Sequence, residues 1–139
     1  MKIFQIVVLV LSGLALFYAS SMRLFDPSQA VFLQTYLENP SNSLEIDIDL
    51  ASEIRGIGAV MVLGGIIALI GATRADFRLT SFVVASVIFV GVVLGRSASL
   101  FVDGMPNDDL IRAASFEFVL SVLNIFCLVT ILNRGQKPL

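Results

Sequence analysis

Four apolar runs, each near the length that crosses a bilayer, leave this chain of 139 residues few other ways to fold. They fall at about 3–20, 50–72, 79–100 and 110–132, and a helical crossing takes about 20 apolar residues. Inside lipid the backbone must satisfy its own polar groups, so such runs become helices. Only 14% of the residues are charged, against about 25% in soluble domains, and the mean hydropathy is +0.93. The expected fold is all-α. It is an integral membrane, antiparallel four-helix bundle, one domain over 1–139, with a short interfacial helix in an outward loop at 21–49.

Composition closes off several functions. The net charge is -2 and the pI is near 4.9, so there is no basic face for nucleic acid. Histidine is absent, which removes the commonest metal ligand and general base. The single cysteine, Cys127, has no partner for a disulfide or a zinc site. No metal and no cofactor is expected, and an enzyme is the less favoured class.

The first run, Ile3 to Ala19, has Ala19 and Ser21 as a small-residue pair that a signal peptidase would accept. It is longer than the usual core of about 7–15 apolar residues in a secretory signal. Gln5, Ser12 and Ala19 also recur every seven residues, as a packing face does, so a retained helix is expected. In the loop, Asp26-Pro27-Ser28-Gln29 reads as a helix start, and Asn39-Pro40 stops that helix. Leu44 to Leu50 alternates apolar and acidic residues. A solvated extended segment is expected there rather than a calcium loop, because the spacing and glycine of an EF-hand are missing.

In the second span, Glu53, Gly56, Val60, Gly64, Ile67 and Gly71 fall on one helical stripe. Glu53 is therefore expected to point inward and Arg55 outward. Gly56 and Gly64 are expected to let another helix approach closely, as are Gly91 and Gly95 in the third span. Arg96 lies about one turn inside the end of that third span. Asp103-Gly104 and Pro106 break the chain, with Asp108 or Asp109 as the N-cap of the fourth span. Glu117 lies about two turns into that span and is the most deeply placed acid.

Four spans put both termini on one side, with Lys2, Arg74, Arg78, Arg134 and Lys137 against Asp76 alone. The positive-inside rule then sets both termini in the cytoplasm. Glu53, Arg55, Arg96, Asp103, Arg112 and Glu117 gather in the outer third of the bundle, three positive and three negative charges. Charges there are costly unless paired, and often serve function.

The blocks Glu53-Ile54-Arg55-Gly56-Ile57-Gly58, Leu94-Gly95-Arg96-Ser97 and Asp103-Gly104-Met105-Pro106 resemble those of bacterial domain-of-unknown-function family 4345, small four-span membrane proteins. The resemblance covers nearly the whole chain. It implies an integral membrane protein with four helices and no assigned reaction.

The expected site is Glu53, Arg55, Arg96, Asp103 and Glu117, binding an anionic lipid headgroup or a small amphiphile. Membrane lipids are the expected partners, and a homo-oligomer or a membrane-protein partner would suit the glycine faces. The alternatives are an accessory or structural subunit of a membrane complex, or an enzyme using Glu117 as acid or base. The charges also have a purely architectural reading, as pairs that lock helix register.

Overall fold

The computed structural model describes residues 2–27 and 48–135. Four helices follow one another: α1 Lys2–Phe25, α2 Ile48–Thr73, α3 Arg78–Val102 and α4 Asp108–Gly135. A 3-10 turn, Ala75–Phe77, joins α2 to α3, and no strand occurs among the described residues. The expected interfacial helix, and most of the alternating acidic segment, lie outside the described residues. The last part of that segment, from Ile48, is helical, and α2 starts there rather than at Leu50. Asp49 then sits in the first turn, where the positive end of the helix dipole favours a carboxylate.

The turn between α3 and α4 is set by local chemistry. The Asp103 N–H donates to the Ser99 carbonyl at 2.7 Å and closes α3. Gly104 follows with φ 98°, a left-handed conformation that glycine adopts without steric penalty. The Leu110 N–H donates to Asn107 Oδ1 at 2.9 Å. Asn107 is therefore the N-cap, and Asp108 and Asp109 fall in the first turn instead.

Helices α1 and α2 make the closest approach, along a seam of glycines. A Cβ on Gly65 would lie 2.9 Å from the Gly13 carbonyl oxygen and 3.1 Å from the Phe17 nitrogen. One on Gly58 would lie 3.0 Å from the Leu24 nitrogen. Residue 13 opposite 65, and 24 opposite 58, makes the pair antiparallel. Gly64 faces Ile88 and Gly71 faces Ser81 on α3, and the Ser81 hydroxyl donates to the Ile67 carbonyl at 2.6 Å. Helix α4 closes the bundle against α1 through an edge-on Phe4–Phe126 contact with ring centroids 6.4 Å apart.

This packing corrects the expected face of α2. The buried positions include Ile54, Gly58, Met61, Gly65 and Ala68, whereas Glu53 is exposed. The docking of α1 on the Gly58–Gly65 line turns the helix by about one residue, or roughly 100°. Gly56, Gly91 and Gly95 are also displaced from their expected role, since no atom lies within 4 Å of a Cβ built on any of them.

The core has two apolar clusters. Val8, Leu9, Ala68, Ala72, Phe82 and Cys127 form one, and Leu16, Met61, Ala85, Phe89 and Leu120 form the other. Between α1 and α4 the Asn124 amide donates to Ser12 Oγ at 2.7 Å and to the Leu120 carbonyl at 2.8 Å. Both side chains are fully buried. Interhelical bonds of this kind average about 0.6 kcal/mol in lipid, with a ceiling near 1.7. Ser12→Ala should therefore lower stability by about 0.6–1.7 kcal/mol, read from the unfolding midpoint in mixed micelles.

The outer surfaces of the bundle are apolar. Val60, Leu63, Val87, Leu94, Phe118 and Val119 are all well exposed. A water-soluble monomer seldom shows contiguous apolar surface on this scale. All four helices are long and apolar enough to cross a membrane. The fold is that of a multi-pass membrane protein.

Candidate functional site

Arg96 and Glu117 meet across the α3–α4 hairpin. Arg96 is six residues from the end of α3, and Glu117 is nine residues into α4, roughly 13 Å along its axis. Arg96 Nε lies 2.5 Å from Glu117 Oε2, and Arg96 Nη2 donates to Oε1 at 3.0 Å. The contact is a side-on ion pair with one hydrogen bond in it, from Nη2 to Oε1, and a charge-assisted bond of this kind is stronger than a neutral one. The two side chains are only 21% and 13% exposed. A guanidinium has five N–H donors, and the hydrogen bond to Glu117 uses one of them.

The pair stands between two cavities. The larger, about 560 Å³, lies between the end of α3 and the start of α4. Arg96, Ser97 and Ser99 provide its polar edge, and Leu100, Met105, Leu110, Ile111 and Phe118 much of its apolar wall. The smaller, about 170 Å³, lies deeper, among all four helices, and its only ionisable groups are Glu117 and Tyr18. Arg96 thus lines the first cavity and Glu117 the second.

The other expected site residues stay apart from this pair. Glu53 and Arg55 are exposed on the first turns of α2. Asp103 is an exposed residue of the turn, and its Oδ2 accepts from the Ser99 hydroxyl at 2.7 Å. Arg112 lies 3.7 Å from Asp109 on the exposed face of α4, a pairing worth little in water. Of the six charges expected to gather, only Arg96 and Glu117 form a largely buried pair.

One residue of the site was not expected. Arg23, near the end of α1, is half-buried and lies within electrostatic reach of both Arg96 and Glu117. Its Nη1 also donates to the Ala19 carbonyl at 3.2 Å. The signal was present in the helical spacing. Ser12, Leu16 and Ser20 are buried on one face, and the next position on that face is Arg23. No group of histidine, cysteine, aspartate or glutamate able to hold a metal occurs among the described residues.

Comparison with known proteins places the chain in a family. No curated protein and no solved structure matches the chain. The model of a domain of unknown function, DUF4345, matches residues 3–128, a span that takes in α1 to α3 and all but the last turns of α4. It includes Arg23, Arg96 and Glu117. The chain therefore belongs to the DUF4345 family of domains of unknown function.

Proposed function

We propose that the protein binds the anionic head of an amphiphile, a lipid headgroup or a free carboxylate, in the α3–α4 cavity. One observation carries this reading: Arg96 is the charged residue on a mainly apolar cavity and has donors to spare. A guanidinium is donor-only, so its complement must present acceptors, and an anion suits it best. Glu117 holds the guanidinium from the far side and fixes its orientation. The apolar wall suits the chain of the same amphiphile. The bundle is placed in a bacterial inner membrane; the charge asymmetry of the sequence supports both termini in the cytoplasm, and the Arg96 end of the bundle then faces outward.

The test is native mass spectrometry from lipid discs that contain both zwitterionic and anionic lipid. The wild type should retain a discrete anionic amphiphile. The neutral pair Arg96→Gln with Glu117→Gln should lose about tenfold of that occupancy, the scale of one charge-assisted contact, and still fold. Ala114→Phe, which fills the cavity and keeps the ion pair, should lose it too. Equal retention by all three proteins would sink the proposal.

A second reading is supported by α3. Gly91 and Gly95 have open space where a Cβ would stand, and small residues of this spacing admit close helix neighbours. A membrane-protein helix docking there would make the chain an accessory subunit. Crosslinking from a cysteine at position 95 should then capture one discrete partner, and a wholly monomeric product counts against it.

A further inference from the structure

We infer that the smaller cavity is a second ligand site, for a small uncharged molecule that carries a hydroxyl on an apolar body, a phenol or a short-chain alcohol. It is separate from the anion site proposed above and takes the opposite chemistry. Leu16, Met61, Phe89 and Val92 give it apolar walls, and Glu117 contributes a buried carboxylate.

Three arguments fix the ligand class. The first is polarity. An ionised carboxylate only accepts hydrogen bonds and has about four lone-pair positions. Arg96 Nη2 donates to Oε1, while Oε2, set against Arg96 Nε in the ion pair, is buried and accepts no hydrogen bond, so a ligand on the cavity side must donate. The second is charge. Glu117 is already balanced by Arg96, and Arg23 stands within electrostatic reach. An ammonium would add an uncompensated charge inside the bilayer, which is costly. A neutral O–H adds none. The third is size. The volume is about 170 Å³, and a protein cavity of about 150 Å³ lined by apolar side chains accepts benzene. A molecule of roughly six to ten heavy atoms fits on that scale, whereas a diacyl lipid does not.

Access is lateral. Tyr18 on α1 and Phe116 on α4 both line the cavity and are both exposed on the outside of the bundle. A molecule already dissolved in the bilayer can enter between them without crossing an aqueous face.

The experiment uses fluorine NMR of the full chain in lipid discs, with 4-fluorophenol and 4-fluorotoluene as probes of nearly equal size. Empty discs supply the non-saturable partition of each. The expected result is a saturable fraction of 4-fluorophenol in wild type, bound about tenfold more tightly than 4-fluorotoluene, the scale of one added hydrogen bond. Ala113→Leu, which fills the cavity and keeps the ion pair, should abolish it. Signals no different from empty discs would overturn the site. Equal binding of the two probes would overturn the role of Glu117, and binding undiminished in Ala113→Leu would overturn the location. The two-probe comparison needs only wild-type protein, so it decides even if the filled variant does not fold. Because Ala114→Phe blocks only the larger cavity, it should leave the phenol signal intact, and the two sites can fail independently.

Discussion

Replacing either Arg96 or Glu117 alone with leucine is expected to be the most damaging single change in the bundle, at about 3–5 kcal/mol. Each single variant leaves its partner as a half-buried, uncompensated charge inside the membrane. The double variant Arg96→Leu with Glu117→Leu removes both charges. Apolar replacement of a buried pair is often neutral or stabilising. The double variant should therefore unfold within about 1 kcal/mol of the wild type, which is far from the sum of the singles. Unfolding midpoints of the four proteins in one micelle composition make the double-mutant cycle. Additive losses would mean that the two side chains act separately, contrary to the side-on contact at 2.5 and 3.0 Å. A stable double variant would also separate architecture from function, since it folds without the anion-binding group.

The second large effect concerns glycines that look alike in the sequence. Gly65→Ala should destabilise by about 1–3 kcal/mol, the usual cost of overpacking, because the new methyl would meet backbone atoms of α1 at 2.9 and 3.1 Å. Backbone cannot rotate aside, so the two helices must separate. At Gly64 the obstacle is the far end of the Ile88 side chain, which can move, and the cost should be smaller. Gly56→Ala meets nothing within 4 Å. It should be neutral or stabilising by up to about 1 kcal/mol, the helix-propensity difference between glycine and alanine. The order Gly65, Gly64, Gly56 in loss of midpoint is the measurable claim. If Gly56→Ala proved as harmful as Gly65→Ala, that face of α2 would have to contact another chain.

The apolar runs made the four helices legible, because crossing a bilayer imposes both length and composition. The exact ends were less so. Asn107 takes the cap from Asp108 and Asp109 through one hydrogen bond to the Leu110 N–H, a choice that depends on the turn and not on composition. The rotation of α2 was the larger miss. When all sides of a helix are apolar, hydrophobic spacing cannot say which side faces the core. Which glycine meets which backbone decides that, and Gly58 and Gly65 do so through partners on α1. The site shows the same division. Arg96 and Glu117 stood out as isolated charges well inside apolar runs. Glu53 was equally isolated and was expected to point inward, yet the rotation of α2 leaves it exposed, as Arg55 is. Arg23 was overlooked because it lies at a helix end, where arginine is an ordinary boundary residue.

The ion pair also has a consequence for how the chain enters its membrane. Arg96 and Glu117 are 21 residues apart and belong to one hairpin with a short turn. If α3 and α4 enter together, the bilayer receives a compensated dipole and not two successive ions. Either charge alone at the centre of a helix is worth about 2.5–3.5 kcal/mol against insertion. The α3–α4 hairpin thus carries its own counterion, and a chain cut between Val102 and Glu117 would strand a cation in the lipid.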